Sequence, residues 1–140
     1  VHGIHAAAMR ESALEIVGFR GFSTHRYTEE EVHYPGDLSN CTTCHTQSGY
    51  TLPLADGVLG TTIDTGEDRT DPTDDVVITP ASAACSSCHD DKVAISHMES
   101  NGGSFATSQA AIDSGEVVEE CSVCHGEGRS ADVSAVHNPR

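Results

Sequence analysis

The chain has 140 residues and a formal charge of −15, from 22 acidic against 7 basic side chains, which argues against a nucleic-acid ligand or an anionic membrane surface. Length bounds it to one domain, residues 1–140, yet it has no Trp, three Phe and three Tyr, and a hydrophobic fraction of 36%, so something other than side chains has to fill the middle. No stretch is apolar enough to span a bilayer, and the acidity reads as solubility or adaptation to salty water rather than as a dedicated basic partner.

In chain order, Val1 to Phe22 opens with His2-Gly3-Ile4-His5-Ala6-Ala7-Ala8-Met9 and reads as a helix from Ile4 onward. His2 and His5, three apart, then share one face, adjacent but not opposed. Gly18 to Asn40 is turn-rich, carries His25 and His33, and turns at Pro35-Gly36 before Cys41-Thr42-Thr43-Cys44-His45. Thr46 to Ala83 is a surface loop in which Asp64, Glu67, Asp68, Asp71, Asp74 and Asp75 crowd together. Their spacing does not match an EF-hand, so a solvated acidic loop is expected over a calcium site at 64–75. Val76 to Thr79 reads as a short strand.

Ala83 to Glu99 reads as one helix, stopped at Asn101-Gly102-Gly103 and containing Cys85-Ser86-Ser87-Cys88-His89 with His97 beyond. On one helix His97 lies about 12 Å along the axis from His89 and about 80° around it, so the two cannot clamp one ion from opposite faces. Thr107 to Ser114 is a short helix that leads to Cys121-Ser122-Val123-Cys124-His125. Gly126 and Gly128 then loosen the chain, so that Val133 to His137 can fold back.

The pattern C-x-x-C-H thus occurs three times and consumes all six cysteines, leaving none for a disulfide. In that pattern each cysteine forms a thioether to a haem vinyl group and the histidine ligates the iron from the proximal side. A zinc scaffold would need sites of four cysteines, or of two cysteines and two histidines, and neither requires a histidine directly after each second cysteine. Three covalent haems c, held by Cys41, Cys44, Cys85, Cys88, Cys121 and Cys124 with His45, His89 and His125 proximal, would supply the missing apolar middle. The expected fold is a multihaem cytochrome c: a mostly irregular chain with a few short α-helices wrapped around a stacked haem core, and little or no β.

Six histidines remain for three distal sites. His2, His5, His97 and His137 are the expected distal set, with His25 and His33 in reserve, while Met9 and Met98 are not expected to ligate. Because His2 and His5 must address different irons, one of them is spare, and it either idles in solvent or ligates a haem of a neighbouring chain. Covalent attachment by this motif is completed outside the cytoplasm, so without a signal peptide the chain is expected to be mature, or a piece of something longer, and exported to the cell surface.

The residues resemble one family, the outer-surface multihaem cytochromes of metal-reducing bacteria of the decahaem OmcA/MtrC type. The resemblance rests on His2-Gly3-Ile4-His5-Ala6, Tyr34 to Asn40 before the first haem motif, His97-Met98 followed by Asn101 to Phe105, and Cys121 to Gly128 followed by Asp132-Val133 and His137. In the family two further haem motifs precede the first of these elements, so the chain looks like the latter three-haem part of a pentahaem domain. The resemblance implies bis-histidine haems within electron-transfer distance, carrying electrons across the cell surface to minerals, electrodes or other redox proteins. A passive conduit then competes with a multihaem reductase that has one open iron. The surplus of histidines favours the conduit, and polymerisation into a haem filament would extend it.

Overall fold

The computed structural model of the chain describes residues 1–18, 23–46, 49–65, 68 and 70–137. Its opening helix, α1 (His2–His5), is a single turn closed by the Ala6 N–H on the His2 carbonyl, at 2.8 Å. The helix expected from Ile4 onward does not form. The chain leaves α1 through turns and enters strand β1 (Leu14–Val17), which pairs antiparallel with β2 (Thr24–Tyr27) in the register Leu14 to Tyr27 and Val17 to Thr24. Leu14, Ile16 and Val17 include two β-branched side chains, which fit a pleated strand better than a helix. Residues 19–22 of that segment lie outside the described residues.

A second antiparallel pair joins β3 (Thr61–Ile63) to β4 (Val76–Ile78), with Val77 bridged in turn to Thr107. The strand expected near Val76 therefore forms, whereas two small sheets stand where little or no β was expected. They arise from short β-branched runs that pair locally and are too short to be seen as periodic patterns.

The single helix expected over 83–99 is two helices. Helix α2 (Pro80–Ser86) starts with Pro at its first turn and ends inside the second C-x-x-C-H. The chain is then redirected, and Asp91 begins α3 (Lys92–Ser100) by accepting hydrogen bonds from the Val93 and Ala94 N–H groups at 2.8 and 3.0 Å. A good N-cap in the middle of a helical composition is the physical reason for the break. Short helices α4 (Gln109–Asp113), α5 (Ser122–His125) and α6 (Val133–Val136) follow.

Among the described residues the buried apolar side chains are few: Ala6, Ala7, Val77, Ala81 and Met98, beside the fully buried Thr79 and Ser82. Val77, Thr79, Ala81, Ser82 and Met98 lie where β4, α2 and α3 meet the return at 101–105. Gly102 has φ +84° and a Cβ there would run into the Val118 carbonyl, while one on Gly103 would run into the Ser82 hydroxyl. The tight return expected at this point thus depends on both glycines.

Candidate haem-binding site

All three C-x-x-C-H segments close the same turn. The N–H of His45 donates to the Cys41 carbonyl at 2.9 Å, that of His89 to Cys85 at 2.8 Å, and that of His125 to Cys121 at 2.9 Å. One helical turn puts both sulfurs and the imidazole of a motif at one patch of surface. No two of the six cysteines are joined in a disulfide, so all six sulfurs are left for the motifs. Burial, followed by the charges of Cys121, Glu119 and Cys88, pushes the Cys85 thiol up to about 11; burial first also raises Cys41, Cys88 and Cys121. Zinc takes thiolates, and among the described residues no set of three cysteines or histidines converges on one point.

The electrostatic neighbours order the motifs in space. The charges of Cys88 and Cys41 of the first motif interact, as do those of Cys85 and Cys121 of the third, so the second motif neighbours both of the others. Two polar clusters fasten it there. Glu119, two residues before Cys121, accepts hydrogen bonds from the Thr79 hydroxyl (2.7 Å), the Ala81 N–H (2.7 Å), and the Ser82 N–H and hydroxyl (2.7 and 2.6 Å). Its carboxylate therefore sits on the N-terminus of α2, whose last turn bears Cys85. Arg10 donates to the carbonyls of Ser86 and Ser87 (3.0 and 2.8 Å) and pairs with Asp90 at 3.4 Å. Asp90 also accepts the Glu11 and Ser12 N–H groups; burial pushes its carboxyl up, but these hydrogen bonds and Arg10 together hold it below the usual range. Neither cluster was anticipated from the sequence. One glutamate of the Glu119-Glu120 pair before a motif and an arginine after two histidines carry no pattern, and only a long-range contact gives them meaning.

The histidines meet in three pairs. His45 faces His2 with ring centres 5.7 Å apart and Nε2 atoms at 3.4 Å. His89 faces His137 at 6.0 Å, and His125 faces His97 at 6.1 Å, each pair nearly edge to face. Two imidazoles on opposite sides of one metal ion, with bonds of about 2 Å, stand with ring centres about 6 Å and nitrogens about 4 Å apart. All three pairs fit the ring spacing, although the first has to open by about half an ångström between its nitrogens. Each pair unites the histidine of one C-x-x-C-H with one from outside the motifs. The second and third motifs exchange partners, because His97 follows the second and His137 the third.

Local hydrogen bonds orient some of these rings. His125 Nδ1 stands 3.0 Å from the Ala131 carbonyl, which can only accept, so that nitrogen carries the proton and Nε2 remains a lone-pair donor. Ala131 is held by its own N–H on the Cys124 carbonyl, and Asp132 begins α6 on the Ser134 N–H. This is the fold-back that carries His137 to the second motif. His137 Nδ1 is buried without a hydrogen-bond partner, and its carbonyl accepts from the Cys41 N–H at 3.4 Å. Partial desolvation, then the charges of His45 and His5, lower the pKa of His2 and favour the neutral form that binds metal.

His5 has no imidazole opposite it among the described residues. Its ring stacks obliquely on Tyr34, 5.2 Å away, and lines an open groove of about 480 Å³ with Ala8, Met9, His33 and Leu38. His25 lies on the exposed hairpin, 3.5 Å from the Ser23 hydroxyl. In the acidic loop the carboxylates of Asp64, Asp74 and Asp75 come within 4.8 Å of one another, and Glu67 lies outside the described residues.

A porphyrin also has to find apolar walls. Met9, Val93, Val118, Val123 and Val136, each close in sequence to a paired histidine or a motif, are all more than half exposed, so the polypeptide alone leaves them uncovered. Uncovered apolar side chains around spaced imidazole pairs fit haem at these sites.

Attachment motifs with their imidazoles turned to histidines from elsewhere define a multihaem c-type cytochrome. The chain matches the family model for outer membrane cytochromes, MtrC/MtrF-like, domains II/IV, over residues 1–138, and it belongs to that family. No curated protein and no solved structure matches it significantly. It is thus a domain of an outer-membrane, surface-exposed multihaem cytochrome that serves electron transfer and carries c-type haem. Among the described residues no helix is long and apolar enough to cross a membrane.

Proposed function

We propose that the chain is a conduit for extracellular electron transfer that holds three c-type haems, each six-coordinate between two histidines. The three imidazole pairs carry this reading. Cys41 and Cys44 hold one haem between His45 and His2; Cys85 and Cys88 hold the second between His89 and His137; Cys121 and Cys124 hold the third between His125 and His97. When bound, the haems supply one-electron chemistry. The chain's own part is to present both imidazoles, bury the rings among the exposed valines, and keep the second motif beside the first and the third. Met98 is packed in the small buried centre and Met9 lies on the open groove, so neither is a ligand.

The test is an EPR and visible spectrum of the purified holoprotein. All ferric haem is expected to be low-spin, with no near-red sulfur-to-iron charge-transfer band and no carbon monoxide binding without denaturation. A high-spin signal near one third of total haem would overturn the reading in favour of a reductase with an open iron.

His5 is left for an iron beyond the chain's own three. An imidazole at the mouth of an open groove suits a haem of a redox partner or of another copy, and copies joined in this way would extend the conduit into a filament. His5→Ala is then expected to keep all three low-spin haems and lose the wild-type assembly state, as followed by light scattering. An unchanged particle size would remove His5 from the interface.

A further inference from the structure

The Arg10–Asp90 pair lies against the second haem motif and is spent neither on the sheets nor on the imidazole pairs. Arg10 is a strongly buried cation, 13% exposed, in a chain with only 7 basic side chains, and Asp90 is 10% exposed. The guanidinium grips the carbonyls of Ser86 and Ser87, the two residues between Cys85 and Cys88, and Asp90 directly follows His89. Both charges therefore lie at the attachment loop of one haem, partly shielded from the water that would otherwise screen them.

From this juxtaposition we infer that Arg10 is a positioning residue that holds up the reduction potential of the haem at Cys85 and Cys88. It does so by neutralising Asp90 beside the proximal histidine and by offering its cation to the loop. The inference rests on the assignment of a haem to that motif. A ferric bis-histidine haem carries one more positive charge than the ferrous form. A bare carboxylate nearby therefore favours the ferric state, and a bare guanidinium the ferrous state. Removing either partner uncovers the other, so the two substitutions act in opposite directions. Loss of a merely structural tie would have no such sign.

The experiment is a spectroelectrochemical titration of the holoprotein and three variants, after haem content has been measured by intact mass and pyridine haemochrome. In Arg10→Gln one third of the redox amplitude is expected to move to lower potential by about tenfold in its reduced-to-oxidised ratio, which is about 59 mV for one electron. Asp90→Asn is expected to move the same third upward, and Arg10→Lys, which keeps the charge without the fork, to stay within about twofold of wild type. Should Arg10→Gln fail to accumulate, Asp90→Asn decides alone: an upward move supports the inference, and no move or a downward one overturns it. Fewer than three haems on the wild-type chain would defeat the haem assignment instead. Three haems with unmoved potentials, or with both substitutions moving them the same way, would defeat only the role of Arg10.

Discussion

Alanine at His97 is expected to turn about one third of the haem from low-spin to high-spin while all three covalent attachments survive, and the haem affected is the one at Cys121 and Cys124. His97 lies only eight positions after His89, so a reading by sequence proximity would assign the damage to the second motif. The geometry assigns it to the third, because the His97 ring faces His125, 6.1 Å away, whereas His89 faces His137 at 6.0 Å. His137→Ala is accordingly expected to affect the second haem. Added imidazole should restore the low-spin spectrum in both variants by filling the vacated position. The assignment is checked by combining each substitution with Cys121→Ala/Cys124→Ala. Loss of the third haem removes the high-spin signal of the His97 variant and leaves that of the His137 variant. The opposite pattern, or no high-spin iron in either single variant, would reject the exchange of ligands between the two motifs.

The second large effect is expected at Glu119. Its carboxylate accepts four hydrogen bonds from Thr79, Ala81 and Ser82, and these start the helix that carries Cys85. Ser82 is fully buried, so removing the acceptor strands its hydroxyl along with two backbone N–H groups, while the Thr79 hydroxyl keeps only its longer bond to the Ser104 carbonyl at 3.4 Å. Hydrogen bonds to a charged group and the cost of stranded donors together put the loss at about 2–4 kcal/mol for Glu119→Ala. Glu119→Gln keeps one acceptor oxygen and is expected to lose about half as much. Chemical denaturation followed by far-UV circular dichroism and by the Soret band measures both. Because Glu119 ties the approach to the third motif onto the helix of the second, the Soret change and the loss of helix should coincide in the wild type and separate in the alanine variant. Equal stability of Glu119→Ala and wild type would show that solvent replaces the carboxylate.

The proximal half of the candidate site is legible without any structure. C-x-x-C-H is a local instruction: three bonds to one haem need residues within a single turn, and the turns closed on Cys41, Cys85 and Cys121 share one N–H to carbonyl bond because both of its ends lie within the motif. Val76 to Ile78 and the helix near Gln109 are legible for the same reason, as is the return at Gly102-Gly103. The composition also announces an interior that side chains do not fill, which the small set of buried apolar residues matches.

What only the tertiary structure decided is which distant groups meet. Asp91 breaks the run from Ala83 to Glu99 into α2 and α3, so an argument from one rigid helix could not aim His97, and its aim at His125 depends on how α3 and α5 pack. His137 reaches His89 through a glycine-loosened loop whose course is set by the Ala131 and Asp132 hydrogen bonds. β1 replaced the expected opening helix because pairing with β2 outweighed the weak helix preference of Leu14 to Val17. Glu119 and Arg10 are ordinary surface types in the sequence and become anchors only when Ser82 and Ser86 arrive beside them. Local sequence chooses turns and caps from a few neighbouring residues. A contact between residues more than thirty-five positions apart, such as Glu119 with Ser82 or Arg10 with Ser87, is chosen by packing of the whole chain.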